Sequence, residues 1–201
     1  MSPVASPPYI CVMTTAAKST EHYALFDTAI GTCAIAWSVR GVTRMQLPER
    51  SREASEQRLL KRCPDATAAE PPPHVARVIA QIECYASGEA IDFSDVALDI
   101  ERAEPFHRAV YDAARAVKWG ETTTYGALGA QAGSQGDARE VGVALARNPV
   151  TLIIPCHRVL AAGNRMGGFS AYGGTVTKER LLALEGVTVG EPVLPGLFER
   201  A

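Results

Sequence analysis
The chain reads as an α+β protein, with an antiparallel sheet in its first half and a mostly helical second half. Three observations predict this. Residues 22–47 hold three short apolar runs, HYALFDT, TCAIAWSV and VTRMQL, separated by turn signals at Ala29-Ile30-Gly31 and Arg40-Gly41. Such runs at this spacing are the pattern of a strand meander. From Pro105 onward the apolar residues recur instead at helical spacing. Within that half, two short helices joined by a Gly-bearing turn form a helix-turn-helix pattern.

The elements follow in order. Residues 51–62 (SREASEQRLLKR) predict a helix with Ser51 as its N-cap, because a serine oxygen accepts from the free N–H groups of a first turn. Pro71-Pro72-Pro73 is a hard break, and 74–86 predict a second helix that stops before Ser87-Gly88. Residues 91–99 read as a further strand and 100–104 as a linker. Pro105 opens the next helix, since its missing N–H costs nothing in a first turn; Phe106, Ala109, Val110, Ala113, Ala114 and Val117 form its apolar face, and Trp119-Gly120 ends it. TTTYGALGAQAG predicts a helix ending at Gly133, SQGD a turn, and DAREVGVALARN a second helix stopped by Asn148-Pro149. An apolar strand, TLIIPCHRVL, follows. A Gly-rich loop and a last helix, TVTKERLLALEG, ended by Gly186, complete the fold. The organisation expected is a tail over 1–20, an α/β domain over 21–99, a second domain over 100–187 and a tail over 188–201.

Composition excludes several classes. The 201 residues are 47% hydrophobic and 21% charged, ordinary for a folded domain and too apolar for a disordered one. No apolar run reaches the roughly 20 residues of a membrane span. Cys11, Cys33, Cys63, Cys84 and Cys156 are odd in number, irregularly spaced and without a CxxC pair, which argues against a disulfide scaffold or zinc ribbon. MSPVASPPYICVM lacks a basic start and is broken by prolines, so it does not read as a signal peptide, and a cytoplasmic location is expected. The net charge of −2 taken alone disfavours a nucleic-acid partner. Resolved along the chain, however, 105–186 hold nine Lys/Arg against six Asp/Glu, so the acidity belongs to the remainder.

Chemistry concentrates at Pro155-Cys156-His157. On a strand, Cys156 and His157 point to opposite faces, so a direct sulfur–imidazole bond is awkward unless a water or a bend after Pro155 connects them. Two readings stand open on spacing alone: Cys156 as a small buried hydrophobe, and Cys156 as a nucleophile.

NPVTLIIPCHRVL, preceded by AREVGVALAR and followed by a GGFS loop and KERLLALEG, resembles the O6-alkylguanine-DNA alkyltransferases, also called methylated-DNA–protein-cysteine methyltransferases. The likeness covers about residues 104–187 strongly and the first half weakly, through GTCAIAWSVRGVTRMQL. It implies a ribonuclease H-like N-terminal α/β domain and a winged-helix-like catalytic domain. It implies a monomer that binds the minor groove of double-stranded DNA, flips an alkylated guanine and takes the alkyl group irreversibly, without a cofactor. Cys156 is then the acceptor, His157 the base acting through a water, and Glu185 the carboxylate that orients it. Asn148 ties the helix pair to the active-site strand. Tyr125 crowds the target phosphate and protonates the leaving guanine. Arg139 is the finger that fills the vacated stack. Thr124, Val159 and Ser170 border the lesion.

Four positions depart from the family pattern. Glu140 follows the finger where a small residue is usual, the GGFSAYGG loop is longer, and Thr151 replaces a proline. Ser38 and Thr43 stand where some members carry zinc ligands, so no metal is expected. Two rival readings remain: a lesion-binding protein of the same fold without transfer, and a winged-helix transcription regulator. Of the other cysteines, Cys33 and Cys84 are expected in the core and Cys11 and Cys63 outside it, while Trp119 is expected in the core or over the helix pair.

Overall fold
The computed structural model describes residues 20–133 and 137–189. The expected turn at 134–136, Cys11 and most of both tails lie outside the described residues. Strands β1 (His22–Thr28), β2 (Gly31–Ser38) and β3 (Gly41–Gln46) form the predicted antiparallel meander. A two-residue strand, β4 (Thr67–Ala68), pairs parallel to β1 and completes the order β3-β2-β1-β4. It has no sequence signal, because two exposed residues carry no periodicity.

Helix α1 (Arg52–Arg62) packs on this sheet and starts as predicted, with Ala54 N–H donating to Ser51 Oγ at 3.2 Å. Helix α2 (Pro73–Ala86) turns Val75, Val78, Ile82 and Tyr85 inward at helical spacing. Residues 91–99 do not form the predicted strand. They run as a loop that touches the sheet at one parallel bridge, Val42 to Leu98. Gly41 permits that approach, since a Cβ there would sit 2.4 Å from the Ala97 carbonyl oxygen.

The second half contains α3 (Pro105–Arg115), α4 (Tyr125–Gln131), α5 (Ala138–Ala146) and α6 (Thr175–Leu184). The helix pair α4–α5 lies against α3, where Tyr111 donates to the Ala144 carbonyl at 3.0 Å. Both short helices are capped by side chains: Thr124 accepts from Ala127 N–H, and Asp137 accepts from the N–H groups of Arg139 and Glu140. Strand β5 (Thr123–Thr124) pairs parallel with β6 (Val159–Leu160). One hydrophobic cluster runs through both halves, from Ile35 and Met45 to Ile154 and Leu181.

The predicted strand 151–160 is a correction. Only 159–160 are strand; 152–153 turn, Leu152 takes a positive φ of 71°, and Cys156–Arg158 form one turn of 3-10 helix. The apolar run reflects burial, not extended backbone. Its backbone groups are satisfied locally and from β3: Ile154 N–H reaches Val150, Cys156 N–H reaches Ile154, and Thr151 N–H and Oγ1 both donate to the Met45 carbonyl. A proline at 151 could supply neither bond, which gives Thr151 a structural role.

Cys63 is buried, its thiol donating to Leu59 O, whereas Cys84 is partly exposed; both reverse the expectation. The reason for Cys63 is its place at the C-cap of α1, where it folds back against the sheet. Trp119 stacks edge-on against Tyr85, at 5.1 Å, rather than over the helix pair. Ser38 donates to Asp99 at 2.6 Å, and Thr43 is buried. No helix among the described residues is long and apolar enough to cross a membrane.

Candidate active site
The 3-10 turn rotates Cys156 and His157 out of strand alternation, so the bend after Pro155 is what sets their relation. Cys156 is 6% exposed and lines a cleft of about 870 Å³. The same cleft is lined by Thr124 and Tyr125 from the start of α4, Arg139 from the first turn of α5 and Ser170 from the Gly-rich loop. Tyr125 donates to the Gly168 carbonyl at 3.3 Å and pins the loop. Gly167 allows this closure, because a Cβ there would meet the Tyr125 ring at 2.7 Å. Val159 does not face the cleft; it is fully buried and presents its carbonyl to Lys178.

Asn148 sits below the cleft at the end of α5. Its Nδ2 donates to the Ile154 carbonyl at 2.8 Å and to Cys156 Sγ at 3.3 Å, while its Oδ1 accepts from Val150 N–H at 2.9 Å. It therefore joins helix pair, turn and sulfur. Burial pushes the Cys156 thiol up; the Asn148 bond, the Lys178 charge and local N–H groups pull against that without overcoming it. At rest the sulfur is a neutral thiol.

His157 is fully buried, with Nε2 2.8 Å from Glu185 Oε1. An ionised carboxylate only accepts, so Nε2 carries the proton of the neutral ring and Nδ1 is its basic nitrogen. That Nδ1 has no hydrogen-bond partner among the described residues. Burial holds the imidazole below its ordinary range, against the Glu185 charge that raises it, so the ring is neutral at pH 7 and able to accept a proton.

Glu185 is not a solvated helix end. It is the C-cap of α6, 4% exposed, and gathers donors from four residues in three separate segments. Tyr85 OH donates at 2.6 Å, Arg158 reaches both oxygens at 2.9–3.2 Å, and Gly120 N–H lies at 3.3 Å. Burial alone would raise its pKa, but bonds from His157, Arg158 and Tyr85 outweigh that and lower it to about 2.

Three contributors escaped the sequence reading. Tyr85 comes from α2 in the first half and also lies 3.2 Å from His157 Nε2. Arg158 is buried between Glu185 and the Val117 carbonyl, at 2.6 Å. Lys178, on α6, is fully buried, donates to Val159 O and sits 5.8 Å over the Tyr125 ring. Burial lowers its ammonium to about 8, and a thiolate at Cys156 opposes this once it forms. Tyr85 and Lys178 gave no signal, since each sits at an ordinary apolar-face position of its helix. Arg158 did: an arginine beside His157 in an apolar run needs an anion.

The arrangement is a thiol at the floor of an open cleft beside a neutral imidazole held by a buried carboxylate, which is nucleophilic chemistry. Residues 105–187 match the family model described as 6-O-methylguanine DNA methyltransferase, DNA binding domain. A methylated-DNA–protein-cysteine methyltransferase of Mycolicibacterium paratuberculosis is 33% identical over 164 residues, covering 82% of this chain and 92% of the relative. The Mycobacterium tuberculosis O6-methylguanine methyltransferase superposes with a TM-score of 0.66 at 33% identity, covering 83% of this chain and 93% of that one. The structure of M. tuberculosis OGT in complex with DNA superposes at 0.65, also 33% identical, covering 82% and 92%. The chain belongs to the methylated-DNA–protein-cysteine methyltransferase family.

Proposed function
We propose that this protein repairs DNA by direct reversal, moving the alkyl group of O6-alkylguanine onto Cys156 Sγ. The observation that carries this is the cleft-floor thiol of Cys156 beside the buried His157–Glu185 pair. The S–C bond forms as the O6–C bond breaks. The thiol proton passes through a water to His157 Nδ1, and the guanine leaves with a proton from Tyr125. A thiol near its free pKa of ~8.5 is only a few per cent thiolate at neutral pH, and burial makes it less, so the base is required. Glu185 offsets the charge the imidazole gains. A thioether has no exchange route back to thiol, so each chain acts once.

The nucleotide must leave the duplex stack, at a cost of a few kcal/mol, and Arg139 at the mouth of the cleft is placed to fill the gap. Thr124 and Ser170 border the flipped base. We infer minor-groove docking through the helix pair α4–α5, with 21–99 as a ribonuclease H-like domain and 100–187 as a winged-helix-like one. A monomer suffices, since cleft, thiol and base come from one chain, and a reducing cytoplasm keeps the thiol free.

The test is the intact mass after incubation with an O6-methylguanine duplex. A gain of one methyl group, absent in Cys156→Ala, supports transfer. Tight lesion binding with unchanged mass would make the protein a lesion binder instead.

A further inference from the structure
Cys156 and Ser170 also border a second opening, on the side of the sheet. Three guanidinium groups line it: Arg44 from β3, and Arg58 and Arg62 one helical turn apart on α1. Among the described residues no carboxylate lines it. Arg58 reaches out to the Ser170 carbonyl at 2.9 Å and to Glu49 at 3.0 Å. Arg44 Nε is buried with no hydrogen-bond partner. Arg44 and Arg62 also face the adjoining furrow, where Arg102 and Arg147 are mixed with Glu21, Asp99 and Glu104, so the acid-free part is the opening itself.

Three like charges brought together repel one another, and repulsion from Arg44 and Arg58, after burial, lowers the Arg62 guanidinium. Such a cluster is stabilised by a bound anion. The free volume of about 30 Å³ holds roughly two waters, too little for a base or nucleoside but enough for two oxygens of a tetrahedral anion whose other oxygens face solvent. Guanidinium forks match phosphate oxygens in pairs.

We propose that Arg44, Arg58 and Arg62 form a phosphate-binding subsite at the rim of the Cys156 pocket. The phosphate is either a backbone phosphodiester of the DNA being repaired, an assignment that rests on the function proposed above, or free inorganic phosphate. The subsite extends the anion-binding surface from the helix pair to the sheet, and through Arg58 it touches the loop that closes the lesion cleft.

Two measurements test it on the full chain. The first is duplex affinity against salt for wild type, Arg44→Gln/Arg62→Gln, Arg62→Gln and Arg62→Lys. Each phosphate contact contributes about 0.9 to the log–log slope. The slope is expected to fall by up to about one in both Arg62→Gln and the double variant, since one phosphate is lost, and to hold in Arg62→Lys. Arg62→Gln changes an exposed side chain, so it reads out even if the double variant does not fold. The second is the Tm of the DNA-free protein with inorganic phosphate added, expected to rise in wild type and not in Arg62→Gln. A changed slope assigns the DNA backbone; a phosphate-dependent Tm with an unchanged slope assigns free phosphate. The absence of both responses overturns the subsite. Failure of methyl transfer to Cys156 would overturn the repair function and leave the phosphate measurement standing.

Discussion
Replacing Glu185 by glutamine keeps the shape of the site and removes the buried carboxylate that pairs with Arg158. The carboxylate oxygens accept from His157, Tyr85, Arg158 and Gly120 N–H. A glutamine amide turns one of those acceptors into a donor, so either orientation sets N–H against N–H. Arg158, 6% exposed, is left a buried cation without a counterion. Breaking one side of such a pair costs about 3–5 kcal/mol. For a chain of this size that is a Tm lower by about 6–20 °C. The pH dependence supplies an independent figure. Glu185 is lowered from 4.5 to about 2 in the fold, so its contribution is present above about pH 4.5 and is lost as pH falls toward 2. That shift is worth about 3 kcal/mol, in line with the lower bound above. Calorimetric unfolding of wild type and Glu185→Gln, at neutral pH and down through this window, is the assay. The gap between the two should be widest at neutral pH and narrow as acid is added. A Tm difference of less than about 3 °C at neutral pH, or a gap that widens in acid, would refute the reasoning.

Other perturbations follow from the same geometry. Tyr85→Phe removes the 2.6 Å bond to Glu185 and should cost about 1.5–3 kcal/mol of stability, with slower alkyl transfer and unchanged duplex affinity; a transfer rate equal to wild type would dismiss Tyr85 as a positioning residue. Lys178→Met removes the cation that favours the Cys156 thiolate, so the pH profile of transfer should move to higher pH, measured by rapid quench across pH; an unmoved profile contradicts the assignment. Glu140→Ala, at an exposed site in the first turn of α5, should tighten duplex binding and steepen its salt dependence, because a repulsion that salt screens is removed; no change would place that carboxylate away from DNA.

The sequence is most legible where local chemistry decides the structure. Ser51, Thr124 and Asp137 mark helix starts because a side-chain oxygen answers free N–H groups within two or three residues. The meander is legible because three short apolar runs are separated by turn residues at Gly31 and Gly41, although β2 is buried on both faces, at six consecutive positions. The segment 151–160 is misread because burial on all sides makes an apolar run whatever its backbone does; Asn148 and Met45, far apart in sequence, decide its course. The same limit applies to the site. Cys156, His157 and Glu185 stand out by motif, and the structure draws His157 and Glu185 to 2.8 Å. Tyr85 and Lys178 become visible only when α2 and α6 are packed around them, since no periodicity separates a polar atom aimed at a buried carboxylate from one that reaches solvent.

The most direct measurement is the number of methyl groups taken up per chain from excess O6-methylguanine duplex, followed to completion and located by peptide mapping. The predicted result is a plateau at one methyl group per chain, all of it on Cys156, and none in Cys156→Ala. Uptake that continues past one, or label on any other residue, would contradict the account.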